Sequence, residues 1–323
     1  MLRISVALAA ALAILPTAIG QAPIWGQFKI TIRHFRSATD NYELNDPAYA
    51  AKLKNNSVFG QITPRSVFTF ENGDAIVALA KKNGQLLRAG CISYDEVPNW
   101  VNSAEIPGSA LMNNVVNHCS TLIKHYADAW DIVNEPFTDD GFTRPLGFSI
   151  SSSISYIDTL LLAARAADPS AKLYLSSSGI DTPGPKLESM ISQVQYYKDH
   201  GIPIDGVGLR SHFVSGEVPS LANLTANYER LTTLGVEIAI TALDIRTSAT
   251  PSGAPILQQQ TDYKTVISAC KAVAGCVGVT LSDISDKYSL IPGICAGFGR
   301  ALPWDTNFLP KPAYDGIIAG FKN

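Results

Sequence analysis

Eight short apolar runs, each followed by an amphipathic stretch or its equivalent, constrain this chain more than any other feature. The runs lie at 28–34, 57–63, 85–93, 129–135, 171–177, 206–212, 237–245 and 278–285. Between them, helical periodicity is clearest at 75–82, 110–127, 155–167, 186–200, 221–234 and 261–274, with Asp168-Pro169 and Gly235 placed to stop two of these helices. Strands that are apolar on both faces belong to parallel sheets covered by helices, and eight strand-helix units close naturally into a barrel. An open doubly wound sheet is the competing architecture. No Gly-rich phosphate fingerprint follows the first run, and no linker or repeat divides the chain. The expected fold is therefore α/β, a single (β/α)8 TIM barrel over residues 21–323.

The first twenty residues stand apart from that pattern. Arg3 precedes an apolar run from Ile4 to Pro16, and small residues at Ala18 and Gly20 suit a secretory cleavage site before Gln21. The run is shorter than the roughly 20 residues that span a bilayer. A secreted, extracellular protein is expected, acting as a monomer. The net charge is -3, and neither a nucleic-acid footprint nor a basic membrane patch is visible. No cofactor or metal is expected. Five cysteines are an odd number. Oxidation outside the cell and a short spacing favour a Cys270–Cys276 bridge, while Cys91, Cys119 and Cys295 stay unassigned. Asn55 and Asn223 each open a glycosylation sequon.

Barrel enzymes build their sites at the carboxyl ends of the strands. Three runs end there in polar groups: WDIVNEP at 130–136, LRSH at 209–212 and TALD at 241–244. Side chains alternate along a strand, so Asp131, Val133 and Glu135 share a face and Glu135 reaches the rim. An isolated Asn-Glu-Pro would more readily be a surface salt bridge; closing an apolar strand at the functional end makes Glu135 a site candidate. By the same alternation Ala242 and Asp244 point together into the mouth. Glu237 lies roughly 16 Å down the strand on the opposite face and reads as a charge at the bottom rim. His212 and Asp244, on neighbouring rims, are placed for an orienting hydrogen bond.

WDIVNEP, IDGVGLRSHF from Ile204 to Phe213, ITALDIR, the Cys270 to Cys276 segment running into GVTLSDISDK, and the tail ALPWDTNFLPKPAY together resemble glycoside hydrolase family 10, best known for endo-xylanases. The resemblance spans nearly all of the chain after residue 20. It implies a retaining mechanism in which Glu135, preceded by Asn134, is the acid/base, and His212 and Asp244 hold and polarise a nucleophilic glutamate. That glutamate's position is filled by Ala242. Retention needs two carboxyl groups about 5–5.5 Å apart, one protonated for the leaving group and one ionised for attack. Their mutual repulsion keeps the acid protonated. Ala242 can neither attack nor repel. The chain as written is thus expected to be inactive, and Ala242→Glu to restore it. The gap reads either as a nucleophile knockout of a working enzyme, favoured by the intact Asn134, Glu135, His212 and Asp244, or as a pseudoenzyme that binds sugar without cutting it.

Around this core the chain departs from the family. Thr63 to Phe68 replace the usual Glu-Asn and Lys-Trp; Arg88 to Asp95 replace an Arg-Gly-His segment; Ser176-Ser177-Ser178 stand for Asn-Asp-Tyr; Arg210 stands for Gln; and Ser282, beside Asp283, stands for Trp. These changes point to an altered sugar site with Arg210, Ser282, Asp283 and Tyr94 as ligand contacts, and Ser282 opening room for a hexose. Tyr288, Leu290, Ile291 and Pro292, with Phe298 and Trp304 nearby, would form an apolar wall. In these respects the chain is similar to the fungal tomatinase branch, implying a steroidal glycoside, α-tomatine, as substrate. An oligosaccharide of the xylan type, cleaved or merely bound, is the alternative.

Overall fold

The computed structural model describes residues 34–39, 41–55, 61–64, 70–93, 108–126, 128–144, 155–249 and 253–322. Eight parallel strands run β1 His34–Thr39, β2 Gln61–Pro64, β3 Leu86–Ser93, β4 Ala129–Asn134, β5 Lys172–Ser178, β6 Gly206–Val214, β7 Glu237–Ser248 and β8 Cys276–Leu281. Each pairs with the next, β6 pairs with β7, and β8 returns to β1, so the ring closes. A short β9, Phe298–Gly299, lies antiparallel on the end of β7. The connecting helices are α1 Asn41–Leu44, α2 Pro47–Leu53, α3 Phe70–Lys82, α4 Gly108–His125, α5 Tyr156–Ala167, α6 Pro185–His200, α7 Leu221–Thr232, α8 Gly253–Ala272, α9 Ile291–Ile294 and α10 Pro312–Lys322. The fold is the expected (β/α)8 barrel.

Strands three to eight fall within a few residues of the apolar runs. The first differs: β1 begins at His34, where the run at 28–34 ends, and residues 28–33, like the leader at 1–20, lie outside the described residues. The short α2 had no clear periodic signal, yet its cap is local chemistry. Asp46 accepts from the backbone N–H groups of Ala48 (2.9 Å) and Tyr49 (3.3 Å), and Pro47 sits in the first turn, where it sacrifices no helical hydrogen bond. Asp168 ends α5 and Gly235, at φ 74°, turns the chain between α7 and β7, as the sequence suggests.

Alternation divides the strand residues between two cores. Trp130 and Ile132, Leu173 and Leu175, and Val207 and Leu209 are fully buried on the strands and, opposite in phase to the interior residues, face the helices. Each such side chain stabilises the fold by about 1.5–3 kcal/mol. The interior is polar by contrast. Buried Arg88 donates through Nε to Asp131 (2.9 Å), pairs with its other carboxylate oxygen through Nη2, and lies 4.0 Å from the Tyr174 ring centroid. Tyr174 in turn donates its hydroxyl to Glu237, which also pairs with Lys172 (3.5 Å); Glu237 is the expected lower-rim charge, but it lies on the same interior face as Ala242 and not the opposite one, because β7 gains an extra residue at Thr241. The glycines of β6 follow from this filling. A Cβ on Gly206 would sit 2.1 Å from a Tyr174 ring carbon, and one on Gly208 would sit 2.0 Å from Ser176 Oγ.

Two disulfides fasten the outer layer. Cys270–Cys276 joins α8 to β8 as expected, and Cys91–Cys119, which spacing alone could not pair, joins β3 to α4; Cys295 is the free cysteine. Because the Tyr174 ring is covered on its face by Arg88 and tied at its hydroxyl to Glu237, it cannot swing away from a new methyl group. Gly206→Ala is therefore expected to destabilise the protein by about 1–3 kcal/mol, the range for overpacking a filled core. Thermal unfolding checks this, and an unchanged melting temperature would show that the interior has slack.

Candidate active site

The carboxyl end of β4 delivers Glu135 with a left-handed backbone, φ 56°, sparsely populated by residues other than glycine. Its N–H donates to the Ser176 carbonyl of β5 (2.8 Å), which fixes that conformation. The side chain is 3% exposed and surrounded by donors. Oε1 accepts from the Ser178 N–H (2.8 Å) and from Arg210 Nη1 (2.9 Å). Oε2 accepts from Lys186 Nζ (3.0 Å) and Ser177 Oγ (3.1 Å). Burial alone would raise the pKa of this carboxyl. The Arg210 charge, the Lys186 ammonium and the Ser178 N–H outweigh burial and hold it down to about 2.

The ladder between β6 and β7 builds the other half. It pairs Arg210 with Ala242 and His212 with Asp244, after a one-residue slip in which Thr241 becomes the extra residue of β7. Ala242 is partly exposed between buried Thr241 and Leu243, so its methyl group faces the mouth. His212 Nδ1 and Asp244 Oδ2 are 2.6 Å apart, and Ser282 Oγ donates to the same oxygen at 2.6 Å. Burial pushes the Asp244 carboxyl up, but His212 and the Ser282 hydroxyl bring its pKa below the usual value. Asn134, one residue before Glu135, is paired in register with Ser93 and Ser176 and is partly buried at the rim. Arg210 thus connects two places: its guanidinium grips Glu135, while its backbone lies beside Ala242.

Other expected contacts are placed differently. Ser282 donates its hydroxyl to Asp244 and stays partly exposed. Asp283 is 1% exposed and accepts from the Ile284 N–H, and Trp304 is equally buried, with its ring 4.9 Å from that of Tyr314; burial withdraws both from any ligand surface. Tyr288 ties the loop after β8 to α2, donating its hydroxyl to Asp46 (2.8 Å) with its ring edge-on to Tyr49. Ile291 is buried as well, leaving Leu290, 58% exposed, and exposed Pro292 as the open apolar members of that group. Tyr94 lies outside the described residues. Among the described residues no cluster of three or more His, Cys, Asp or Glu side chains is arranged to hold a metal ion.

Lys186 is the functional residue that pattern reading passed over. A signal was present, since a lysine in the first turn of a helix opposes the helix dipole and calls for an anionic partner. Ser177 and Ser178, recognised only as departures from a familiar motif, prove to be donors to Glu135.

The profile of glycosyl hydrolase family 10 matches residues 28–320. The chain belongs to glycosyl hydrolase family 10. Endo-1,4-beta-xylanase A of Phanerodontia chrysosporium is 46% identical over 306 residues, covering 90% of this chain and 74% of the relative. An endo-1,4-beta-xylanase of Agaricus bisporus is 44% identical over 327 residues, covering 96% and 97%. Among solved structures, a xylanase from Bispora with xylobiose superposes with a TM-score of 0.84 at 30% identity, covering 88% of this chain and 96% of the other. This family member carries the barrel and Glu135, with Ala242 on β7 beside Arg210.

The ion pairs make stability depend on pH. The folded pKa of Glu135, about 2, lies below its ordinary value of 4.5. Its contribution is therefore fully present above about pH 4.5 and is lost as pH falls toward 2; a shift of this size corresponds to roughly 3 kcal/mol. Glu135→Gln should lower the melting temperature at pH 7, with the gap to the unaltered protein narrowing steadily between pH 4.5 and 2. A gap independent of pH would show that the side chain matters by shape, not charge.

Proposed function

We propose that this chain is a secreted, carbohydrate-binding member of glycosyl hydrolase family 10 that takes a xylan-type glycan across the barrel mouth and does not hydrolyse it by the two-carboxylate retaining route. The observation that carries this reading is Ala242. At the mouth-facing position of β7, next to the His212–Asp244 pair, there is a methyl group and no oxygen. Glu135 occupies the acid/base position with Asn134 beside it, and His212 and Asp244 are the pair that would orient a nucleophile. Without a nucleophile no glycosyl-enzyme intermediate can form, and the covalent route is closed.

The ligand class rests on the xylanase names of the relatives and on the xylobiose in the Bispora structure. Secretion rests on residues 1–20; among the described residues no helix is long and apolar enough to cross a membrane. A steroidal glycoside such as α-tomatine has less support, because Trp304 and Ile291 of the apolar wall are buried and Tyr288 is held by Asp46.

The deciding experiment offers xylohexaose, soluble xylan and α-tomatine to the full chain, measuring binding by calorimetry and products by chromatography. We expect saturable binding of xylohexaose with no products from any of the three. Steady release of xylo-oligosaccharides would overturn the non-hydrolytic reading, and tight binding of α-tomatine with none of xylohexaose would overturn the ligand class.

A further inference from the structure

Resting on that reading, we infer that Arg210 is a positioning residue that keeps Glu135 an acceptor of hydrogen bonds, so that the missing nucleophile is only half of what separates this site from a hydrolase. Glu135 is enclosed by two cations, Arg210 at 2.9 Å and Lys186 at 3.0 Å, and by the Ser178 N–H and the Ser177 hydroxyl. All four are donors. A protonated carboxyl in this setting would point its own O–H at a group that has a hydrogen to give, and the two positive charges would repel the added proton.

A general acid must hold a proton at the working pH and release it to the leaving oxygen as the glycosidic bond breaks. The familiar way to keep that proton is a second carboxylate nearby. Here the neighbouring strand offers Arg210 and Ala242 side by side. The local field has been reversed: a negative neighbour is gone and a positive one is in contact. Lys186 cannot relieve this, since its other carboxylate partner, Asp139 at 3.3 Å, is 94% exposed while Lys186 itself is 6% exposed. Glutamate placed at 242 would bring the attacking oxygen back, displacing the leaving group from the anomeric carbon to form the glycosyl ester. The departing oxygen would still need a proton that Glu135 does not hold. Removing the Arg210 charge takes away one of the two cations that oppose the proton, and the carboxylate placed at 242 then favours it against Lys186. Glu135 can then carry the proton to the leaving group and recover one from the water that hydrolyses the ester.

The test has a direct readout and a functional one. Carbon-13 NMR follows the Glu135 carboxyl through titration in the full chain and in Arg210→Gln, with Glu135→Gln assigning the signal; Arg210→Met serves if the glutamine variant melts early. Hydrolysis of xylohexaose and of an aryl xyloside with an acidic phenol is then measured for Ala242→Glu, alone and combined with Arg210→Gln, alongside calorimetric binding of xylohexaose. Arg210→Gln should raise the titration midpoint by about one unit or more. The double variant should cleave xylohexaose roughly 100-fold faster than Ala242→Glu alone, and this gap should shrink to less than about tenfold on the aryl xyloside, whose leaving group needs no proton. An unmoved midpoint in folded Arg210→Gln, equal xylohexaose rates for the single and double variants, or a double variant that binds xylohexaose without cutting it would each overturn the role of Arg210. Failure of every variant and of the unaltered chain to bind xylohexaose would instead overturn the ligand class, while the titration would still decide the electrostatic claim.

Discussion

The pairing of β6 with β7 is the contact on which the rest of this structure depends. Nine residue pairs, from Gly206 opposite Glu237 to Val214 opposite Arg246, tie these strands and help close the barrel. A parallel sheet has no exposed edge once it closes, and its strands can then be buried on both faces. The same ladder fixes the site. Its slip at Thr241 sets Arg210 beside Ala242 and His212 beside Asp244. Without that extra residue, every later side chain of β7 would change face, and Asp244 would leave the mouth for the helix layer. Closure and site geometry are therefore one constraint.

Charge inside the barrel is handled by pairing at two levels. Below, Arg88 and Asp131 neutralise each other in the interior, with Ser176 also donating to Asp131. Above, Glu135 is matched to Lys186 and Arg210. Ser176 and its successors link the levels, since the Ser176 carbonyl holds the Glu135 backbone and Ser177 and Ser178 hold its side chain. β5 thus acts as a donor rail between a structural ion pair and the mouth. Buried pairs of this kind add little net stability when intact, but removing one partner leaves a charge without compensation and costs about 3–5 kcal/mol.

The barrel was legible in the sequence because its cause is periodic. Apolar runs at 129–135, 171–177 and 206–212 must become buried strands in any arrangement that shields them, and β4, β5 and β6 follow. Alternation put Ala242 and Asp244 on one face of β7, but the irregularity in β4, the left-handed backbone at Glu135 and the extra residue Thr241, which decide what reaches the mouth, could not be counted from the sequence. Pairings between distant positions were not legible. Nothing local says that Lys186, 51 residues after Glu135, will reach it, or that Arg210 will turn to Glu135 and away from a ligand. Tyr288 shows the same limit: its aromatic ring suggests a binding wall, and only the fold reveals Asp46 waiting for its hydroxyl. Composition identifies what a side chain could touch, whereas topology decides what it does touch.

The presence of Glu135 beside Ala242 then has a physical explanation that needs no catalysis. A site that has lost its nucleophile gains nothing chemically from its acid, and on that argument an intact acid would mark a recent or artificial change. The geometry removes the premise. Lys186 is 6% exposed and depends on the Glu135 carboxylate for its buried partner, and Arg210 uses the same carboxylate. Replacing Glu135 by a neutral residue would take away the carboxylate that Lys186 and Arg210 share, leaving buried Lys186 with Asp139, which is 94% exposed. The acid is held in place by the charges that silence it. Ala242, Arg210, Lys186 and Glu135 form a mutually consistent set, in which each residue makes the others less costly to keep.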